Sequence, residues 1–324
     1  MNIYAIVLAA GKGTRMKSDL PKVAHEVLYK PMIKHVCDEL KKIDVTQTIV
    51  VVGHKAEVVK NIMQDEVTYV MQEEQLGTGH AVKMAYDLLK DKEGITLVLN
   101  GDAPLIRKET LEALIKTHVD NENKATLMSA HCDIKFPFGR IVRNEQGNVL
   151  GIVEAKDATP EQLQITEMNT GEYCFDNQLL FDALTKVNNN NAQNEYYLTD
   201  VIEILGKANY KVGSYVIDDF DEVGGINDRV QLANAQKKMQ ERINTELLLK
   251  GVTLVDPSNT YIARDIEIGS DTIIEPGCII KGNTVIGKNC HIGPHCELDN
   301  VVIKDNVEIK FSVISDSIIE SGTD

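Results

Sequence analysis

A glycine-rich segment near the start of the chain contains the residue types best suited to binding an anion. Gly11 and Gly13 are separated by one residue, and Lys12, Arg15 and Lys22 supply positive charge around them. Glycine lets backbone amides approach an anion closely, and basic side chains neutralise its charge. Because an apolar run precedes the glycines, the segment should lie where a buried strand ends. A polyphosphate is the expected ligand.

The spacing of these glycines excludes two common phosphate-binding loops. A P-loop reads G-x-x-x-x-G-K-[ST], whereas a single residue separates Gly11 from Gly13. A dinucleotide-binding loop has a third glycine where Met16 stands, and no acidic residue closes a following strand near position 36 to hold a ribose. An ordinary strand-to-helix turn with solvated basic residues is the remaining alternative, and Arg15 and Lys22 argue against it.

Composition limits the classes of function. The chain has 324 residues, which is long for one hydrophobic core and suggests two units. Its net charge of −15 repels nucleic acid and anionic membrane surfaces, so neither is an expected partner. No apolar run could span a bilayer, the first residues lack the order of a signal peptide, and the six cysteines follow no compact pairing pattern. A cytoplasmic protein with reduced thiols is expected.

From the start to about residue 215, short apolar runs alternate with amphipathic stretches. This alternation is typical of a parallel sheet with crossover helices, whose ligand site lies beyond the carboxyl ends of the strands. The glycine-rich segment, Gln72–Thr78 and Gly101-Asp102 all follow predicted strands, so we expect them to meet at one edge. The predicted strands are Ile3–Leu8, Thr48–Val52, Val67–Met71, Ile95–Leu99 and Ala125–Ala130, and the predicted helices are Pro31–Ile43, Ala56–Gln64, Gly79–Leu89 and Lys108–His118.

Two later segments depart from this alternation. Residues 139–175 are expected to be β structure laid over the same edge, as a lid that carries contacts to a sugar. Gly224 and Gly225 then break the chain, and a long helix is predicted over Asn227–Lys250. This helix would connect the first unit to the second.

A six-residue period predicts the second unit. Isoleucine or leucine recurs at this spacing and is often followed by glycine, as in Ile268-Gly269 and Ile286-Gly287. Such repeats form the triangular coils of a parallel β-helix, with an aliphatic residue directed inward from each face. The repeat positions are Ile262, Ile268, Ile274, Ile280, Ile286, Ile292 and Leu298. The period slips after Leu298.

A group of cysteines and histidines in this unit imitates a zinc site. Residues 290–296 contain two cysteines and two histidines, and Cys278 lies upstream. All three cysteines, however, occupy the repeat position at which Thr272 and Thr284 stand in other repeats. A coil requires a small side chain there, so packing is favoured over zinc binding.

Two polar residues suit a nucleotide site by their position and chemistry. Asp102 follows a predicted strand, and Mg²⁺ prefers a few protein oxygens completed by water and phosphate. Gln72 offers both a donor and an acceptor to the edge of a base. Instead of binding a ligand, Asp102 could cap a turn before Pro104. Asn227, at the start of the predicted long helix, could likewise be the N-cap of that helix.

Several short motifs, in order along the chain, resemble those of sugar-1-phosphate nucleotidylyltransferases. The agreement extends to the bacterial bifunctional enzymes that join an N-acetylglucosamine-1-phosphate uridylyltransferase to a glucosamine-1-phosphate acetyltransferase. The resemblance covers nearly the whole chain. The motifs are Leu8–Met16 with Pro21-Lys22, Gln72–Ala81, Gly101–Leu105, Gly139–Ile141, Ile152–Glu154, Asn169–Gly171 and Gly225–Asn227.

The resemblance implies an α/β fold, with a Rossmann-like nucleotidyltransferase domain and a mostly parallel sheet, followed by a left-handed parallel β-helix of hexapeptide repeats. The implied limits are 1–226 for the nucleotidyltransferase domain, 227–250 for a linker helix and 251–324 for a partial β-helix. The family's acetyltransferase residues lie in later coils, so the chain is expected to be truncated within the β-helix and to lack that activity. Such β-helices usually pack in threes, which implies a homotrimer.

The implied reaction transfers UMP from UTP to N-acetylglucosamine-1-phosphate, giving UDP-N-acetylglucosamine and pyrophosphate for cell-wall precursors. Mg²⁺ is the implied cofactor, with Asp102 and Asn227 as its ligands, and Arg15 and Lys22 are the expected catalytic residues. The implied substrate-binding positions are Leu8, Ala9, Ala10, Gly11, Lys22, Asn100, Gly101 and Asp102 for the nucleotide, Gln72, Gly77 and Thr78 for its base, and Gly139, Glu154, Asn169 and Asn227 for the sugar.

Two other functions stay open on the sequence. A relative that joins another nucleotide to glucose-1-phosphate would use the same phosphate loop. A non-catalytic scaffold of the same fold should lack the basic and metal-binding residues. The joint presence of Arg15, Lys22, Asp102 and Asn227 argues against a scaffold.

Overall fold

The apolar run before the glycine-rich segment forms β1 (Ile3–Ala9) of a large sheet in the computed structural model, which describes residues 1–324. Tyr4 and Ile6 belong to one buried apolar cluster, and Ala5 and Val7 belong to another. Because successive side chains of a strand point to opposite faces, the two clusters cover the two faces of the sheet. Burial on both faces explains why this run is continuously apolar.

The chain divides into two units. The first contains Met1–His25 and Pro31–Asp228, and the second contains Glu26–Lys30 and Arg229–Asp324. A short N-terminal turn therefore belongs to the second unit, although the rest of that unit lies far away in the sequence.

Nine strands form the sheet of the first unit. After β1 they are β2 (Gln47–Val52), β3 (Thr68–Met71), β4 (Ile95–Asn100), β5 (Ala125–His131), β6 (Arg140–Arg143), β7 (Val149–Val153), β8 (Glu167–Asp176) and β9 (Val212–Val216). Their order is β9-β5-β8-β4-β1-β2-β3, with β6 and β7 attached to β8. The four strands β4, β1, β2 and β3 are parallel, which confirms the predicted sheet.

Seven helices belong to this unit. They are α1 (Met32–Lys41), α2 (Ala56–Met63), α3 (Thr78–Lys83), α4 (Tyr86–Leu89), α5 (Lys108–Asp120), α6 (Asn177–Leu184) and α7 (Asp200–Lys207). The single helix predicted over residues 79–89 is wrong, because α3 and α4 are separate. Between them, the amides of Met84 and Ala85 donate to carbonyls three residues back, so the α-helical ladder is interrupted.

The segment predicted as a lid is instead a central part of the sheet. β8 lies between β4 and β5 and is antiparallel to both, while β6 and β7 form a hairpin beside its first half. Cys174 and Phe175 are fully buried. The prediction is wrong because the apolar pattern does not distinguish a strand inside the sheet from a strand laid over its edge. The difference depends on neighbouring strands, which are distant in the sequence.

Strand β9 was absent from the predicted strands. It lies at the outer edge of the sheet, parallel to β5. Its residues are mostly half-buried, so it lacks the continuous apolar run that marks the inner parallel strands.

The second unit contains α8 (Arg229–Leu249), within the long helix predicted over residues 227–250. Two buried amide side chains on α8, Gln240 and Asn244, donate to the carbonyl of Thr260 at 2.8 and 3.0 Å. These contacts satisfy a backbone acceptor that packing would otherwise leave unpaired. Neither α8 nor any shorter helix has the length and hydropathy needed to cross a membrane.

Short parallel strands after α8 stack into three four-stranded sheets. Paired strands in the middle of the stack are eighteen residues apart, as Ile279 and Glu297 are, so three six-residue repeats make one coil. This stacking confirms the predicted β-helix of hexapeptide repeats. The strands are Thr253–Leu254, Tyr261–Ile262, Glu267–Ile268, Ile273–Ile274, Ile279–Lys281, Val285–Ile286, His291–Ile292, Glu297–Asp299, Val302–Ile303, Glu308–Ile309, Val313–Ser315 and Ile318–Ile319.

Most of the repeat positions point into the β-helix. Among them only Ile268 is half-buried. Later coils are shorter, because Val285 pairs with Val302 seventeen residues on, and Glu297 pairs with Val313 sixteen residues on. This shortening accounts for the slip in the period. The buried positions are Ile262, Ile274, Ile280, Ile286, Ile292 and Leu298.

Cys278, Cys290 and Cys296 lie inside the β-helix, each at most 2% exposed. The thiol of Cys278 donates to the carbonyl of Ile292, and that of Cys290 donates to the carbonyl of Lys304. Burial raises the pKa of the Cys278 thiol to about 11. A protonated thiol of this kind packs as a small apolar group.

The buried ring of His118 should make folding dependent on pH. It is 3% exposed, its Nδ1 lies 2.9 Å from the Thr126 hydroxyl, and burial lowers its pKa to about 4. Between pH values of about 6.5 and 4, the unfolded chain therefore binds a proton that the folded chain does not. We expect this residue alone to lower the free energy of unfolding by about 2 kcal/mol between pH 7 and pH 5.

Urea denaturation at these two pH values measures the effect. The variant His118→Gln, whose side chain stays neutral, should lose less stability than the parent as the pH falls. His131→Gln, at an exposed position on β5, is the matched control and should follow the parent. Equal pH dependence of the parent and His118→Gln would contradict the expectation.

Candidate active site

Gly13 and Lys22 pack against each other in the segment that follows β1. Gly13 has a φ of +60°, and a Cβ built there would stand 2.6 Å from the Cβ of Lys22. Glycine alone combines this backbone angle with so close an approach. A Cβ on Gly11, in contrast, would meet nothing within 4 Å, so open space for a ligand lies beside that glycine.

The Lys22 ammonium lies where three segments of the chain meet. It forms an ion pair with Asp102 Oδ2 and donates to Asn227 Oδ1 at 3.0 Å. Arg15 donates from Nη2 to the same oxygen of Asn227 at 2.8 Å. The side chains of Lys22 and Asp102 are only 20% and 12% exposed, so the pair is largely withdrawn from water. The structure thus brings these four sequence-predicted residues together.

Backbone contacts hold the loops of Asp102 and Asn227 side by side. The amide of Ile226 donates to the carbonyl of Asp102 at 3.0 Å. A Cβ on Gly225 would stand 3.1 Å from Asp102 Oδ1, which is closer than most side chains allow. The glycine at position 225 therefore lets the two loops approach.

The oxygens of Asp102 and Asn227 fit a divalent cation. Both contact one cationic atom, Lys22 Nζ, so the two oxygens converge on a single point. A carboxylate oxygen and an amide oxygen belong to the donor set that Mg²⁺ prefers. No cluster of three or more His, Cys, Asp or Glu side chains is arranged to hold a metal in the chain. A metal at Asp102 and Asn227 would thus depend on water and substrate oxygens to complete its coordination.

A cavity of about 270 Å³ includes part of this charged group. It lies at the carboxyl ends of parallel strands, where ligands of such sheets bind. Its lining residues are Leu8, Ala9, Ala10, Gly11, Lys22, Val23, Gln72, Gln75, Gly77, Thr78, Ala81, Asn100, Asp102 and Glu195. Gly101 does not line it, and its amide donates to the carbonyl of Leu8 at 3.0 Å. Nearly all the residues predicted to bind the nucleotide therefore face one cavity.

Gln72 lines this cavity, and its side-chain amide nitrogen already has hydrogen-bond partners. It is 3% exposed, and its Nε2 donates to the carbonyl of Gly77 at 3.1 Å and lies 3.0 Å from His80 Nδ1. These contacts use both amide hydrogens, which leaves Oε1 as an acceptor for a ligand. His80, a residue without a role in the sequence interpretation, therefore fixes the orientation of Gln72.

The segment that carries Gly77 and Thr78 is bound to a distant part of the chain. Gly77 has a φ of +109°, and a Cβ there would stand 2.6 Å from the carbonyl oxygen of Tyr196. The Thr78 hydroxyl accepts from the amide of Leu198 at 3.1 Å. One wall of the cavity is thus held by residues 196–198.

Gly139, Glu154 and Asn169 form a second group, outside the lining of the cavity. The amide of Asn169 donates to the carbonyl of Gly139 at 2.8 Å, and a Cβ on Gly139 would stand 3.6 Å from Glu154 Oε2. Burial raises the pKa of Glu154, whose Oε1 accepts from the Thr199 hydroxyl at 3.2 Å. Asn169 Oδ1 is buried without a hydrogen-bond partner, which is rare unless a ligand or water completes it.

Sequence reasoning missed two carboxylates near the cavity. Glu195 lines it from the connection between α6 and α7, where no periodic pattern marked a functional segment. Glu172 lies in β8 and accepts a hydrogen bond from Asn100. Its sequence signal was an acidic residue directly after the motif Asn169–Gly171 and before the apolar pair Cys174-Phe175.

Comparison with known families identifies the family of the chain. Residues 4–239 match the nucleotidyl transferase family, and residues 265–300 match the bacterial transferase hexapeptide family, with six repeats. The first match covers most of the chain. The chain belongs to the nucleotidyl transferase family. The part that matches the nucleotidyl transferase family contains both groups of residues described above.

The chain is also similar to proteins named bifunctional protein GlmU. That of Exiguobacterium sp. is 53% identical over 277 residues, which are 86% of this chain and 61% of the relative. Those of Lactobacillus delbrueckii subsp. bulgaricus and Streptococcus agalactiae are 52% identical over 86% and 85% of this chain, and over 60% of each relative. The predicted resemblance to bifunctional enzymes is confirmed, and the chain spans about six tenths of the length of these relatives.

Replacing Gly13 by alanine should displace Lys22, because the new Cβ would overlap the lysine's own Cβ. We expect the affinity for magnesium pyrophosphate, measured by isothermal titration calorimetry, to fall about tenfold. Gly147→Ala is the matched control, since Gly147 also has a positive φ of +82° but has nothing within 4 Å. Both variants should lose stability, and only Gly13→Ala should lose affinity. Unchanged affinity in Gly13→Ala would contradict the assigned packing.

Proposed function

We propose that this nucleotidyl transferase joins UTP to N-acetylglucosamine-1-phosphate, giving UDP-N-acetylglucosamine and pyrophosphate. The observation that carries the proposal is the convergence of Arg15, Lys22, Asp102 and Asn227 beside one cavity. Basic groups next to metal-binding oxygens suit a reaction in which two polyanions must meet. The resemblance of the motifs to bifunctional uridylyltransferases supports this pair of substrates, and a role in supplying cell-wall precursors.

The reaction needs charge neutralisation more than proton transfer. An oxygen of the sugar phosphate attacks the α-phosphorus of the nucleotide and forms a new P–O bond. The bond from that phosphorus to the α,β-bridging oxygen breaks, and its electron pair leaves with pyrophosphate. Because the second pKa of a phosphate monoester is about 6, the nucleophile is already an anion at neutral pH. No general base is required.

Lys22 and Arg15 supply that neutralisation in the proposed mechanism. The ammonium of Lys22 sits on a flexible stem whose Cβ is held against Gly13, so it can move from Asp102 to a phosphate while its base stays fixed. Arg15 is exposed, and its guanidinium suits the β- and γ-phosphates. A magnesium ion held by Asp102 and Asn227 would neutralise charge on the phosphates when bound.

The orientation of Gln72 favours uracil over cytosine. Uracil carries a hydrogen on its N3 atom, whereas the N3 atom of cytosine is an acceptor. The acceptor Oε1 of Gln72, left over after its contacts to Gly77 and His80, accepts from N3–H of uracil when it faces that atom, whereas in the same place it would meet the N3 lone pair of cytosine. The nearby backbone of Gly77 and Thr78 offers further contacts to the base edge.

The second group suits an N-acetylated sugar. The buried and unpartnered Oδ1 of Asn169 is an acceptor for the N–H of an acetamido group. Gly139 leaves room beside it, and Glu154 offers a second acceptor for sugar hydroxyls.

A panel of substrates tests this function directly. Pyrophosphate release is measured with Mg²⁺ for UTP, CTP, ATP and dTTP, each with N-acetylglucosamine-1-phosphate, glucosamine-1-phosphate or glucose-1-phosphate. UTP with N-acetylglucosamine-1-phosphate should have the highest kcat/KM, and CTP should be lower by about 10²-fold. Preference for another nucleotide or sugar would reassign the substrates, and no turnover with any pair would reject the enzymatic proposal.

Replacing Lys22 by alanine should lower kcat far more than it raises KM for the sugar phosphate. We expect a loss of about 10²-fold to 10³-fold in kcat, because the charge acts mainly in the transition state. Steady-state kinetics with both substrates varied give the two constants. Lys116→Ala removes a lysine that pairs with Asp120 on the exposed face of α5, and serves as the control. An unaltered kcat in Lys22→Ala would reject the assigned role.

We also propose that 1–226 form the nucleotidyltransferase domain, that 227–250 connect the units and contribute Asn227 to the site, and that the β-helix of 251–324 assembles a homotrimer. Exposed apolar side chains on the coils, including Val285, Val313 and Ile318, support an assembly surface. Multi-angle light scattering at micromolar concentration should give three times the mass of one chain, and a monomer would contradict the trimer. Six free cysteines support a reducing, cytoplasmic location.

A further inference from the structure

Strand β8 carries an irregularity close to the cavity. Its pairing with β5 shifts register between Asn169 and Tyr173, so residues 170–172 of β8 lie opposite the single residue Met128 of β5. Gly171, in the middle, has a φ of +96°. Such bulges occur beside active sites, where they re-aim a side chain. The side chain of Glu172 is fully buried at this bulge.

Glu172 contacts one residue of the cavity. Asn100 Nδ2 donates to Glu172 Oε1 at 3.0 Å. Gly171 makes room for this contact, because a Cβ there would stand 2.5 Å from Asn100 Nδ2 and 3.9 Å from its Oδ1. The amide nitrogen of Asn100 thus faces β8, and its carbonyl oxygen lies farther from that strand.

A carboxyl group at position 172 is energetically unfavourable if the side chain serves only to pack the sheet. Glu172 Oε2 is buried without a hydrogen-bond partner, and Tyr173, Cys174 and Phe175 next to it are apolar and buried. Burial raises the pKa of Glu172 to about 8, although Thr170 and Asn100 act to lower it. Buried polar groups with unfilled hydrogen-bonding capacity concentrate at functional sites.

Asn100 faces the nucleotide side of the site. It lines the same cavity as Gln72, Gly77 and the glycine-rich segment, whereas the group at Gly139 does not line that cavity. The base is placed at Gln72 and the phosphates at Lys22 under the proposed function. The ribose joins base to phosphates, so its hydroxyl groups are the donors that an acceptor in this cavity can meet.

We propose that Glu172 is a positioning residue, which holds Asn100 so that the Asn100 carbonyl oxygen accepts a hydrogen bond from a ribose hydroxyl of the nucleotide. This proposal rests on the proposed function and adds a residue that lies outside the predicted site. In this proposal, the irregular segment of β8, residues 170–172, orients Asn100 so that its hydrogen-bond acceptor, and not its donor, faces the nucleotide.

Steady-state kinetics of the full chain test this role. Glu172→Leu removes the acceptor for Asn100 Nδ2, so KM for UTP should rise about tenfold, with kcat and KM for the sugar phosphate within about twofold. Glu172→Gln keeps a carbonyl oxygen for that contact and should restore KM for UTP to within about twofold of the parent. Asn100→Ala should match Glu172→Leu, and the double variant should be no worse than Asn100→Ala.

Asn177→Ala is the control for the loss of a buried polar contact. Asn177 is fully buried just after the other end of β8, where its Nδ2 donates to the carbonyls of Leu89 and Lys92. It should lower stability and leave KM for UTP unchanged. Additive effects of Glu172→Leu and Asn100→Ala, an unchanged KM for UTP, or a rise confined to the sugar phosphate would overturn the proposal.

If Glu172→Leu does not fold, Gly171→Ala provides the same test with the carboxyl group in place. Its Cβ would displace Asn100 Nδ2, so KM for UTP should again rise, and an unchanged KM would overturn the proposal.

A binding experiment separates failure of this inference from failure of the proposed function. If the parent shows no turnover, calorimetry of UTP, 2′-deoxy-UTP and 3′-deoxy-UTP still measures the ribose contact. The parent should bind UTP about tenfold more tightly than at least one of the two deoxy analogues, and Glu172→Leu should erase that preference. Equal affinities in the parent would overturn the role of Glu172.

Discussion

Three loops bring opposite charges and an amide to one point, the Lys22 ammonium. The ion pair with Asp102 and the hydrogen bond to Asn227 join residues that are about eighty and two hundred positions away in the sequence. The positive charge of Lys22 stabilises the approach of a carboxylate oxygen and an amide oxygen to one point. Under the proposed function, these contacts are exchanged for contacts to a metal ion and to substrate phosphates when they bind.

Much of the fold was predictable because its causes are local. The runs of β1, β2 and β4 are largely apolar since both faces are buried, and the six-residue period is imposed by the three-sided coil. The position of β8 was not predictable, since an antiparallel strand between β4 and β5 is specified by partners elsewhere in the chain. The break between α3 and α4 was likewise not predictable, because the apolar pattern of the sequence continues through it. Only the backbone hydrogen bonds of the structure reveal the break.

The residues of the candidate site also divide into those that the local sequence predicts and those that it does not. Gly11, Gln72 and Asp102 were predictable because each follows a parallel strand, and such ends share one edge. Asn227 needed the resemblance, since nothing local in its loop indicates that it faces Lys22. The orientation of Gln72 and the contact of Glu172 were not predictable at all. Each depends on a hydrogen bond whose partner, His80 or Asn100, is fixed by packing rather than by the motif itself.

Under the proposed function, an acidic chain binds two polyanions and must therefore confine its positive potential to one place. The net charge is −15, yet Arg15 and Lys22 converge where phosphates are expected. Of the three carboxyl groups at or near the cavity, Glu195 lines it and Asp102 is matched by Lys22, whereas burial raises the pKa of Glu172 to about 8, which favours its uncharged form. A neutral Glu172 can hold Asn100 without repelling the nucleotide. Burial thus lets a carboxyl group act as a hydrogen-bonding support beside a phosphate site, where an ionised one would oppose binding.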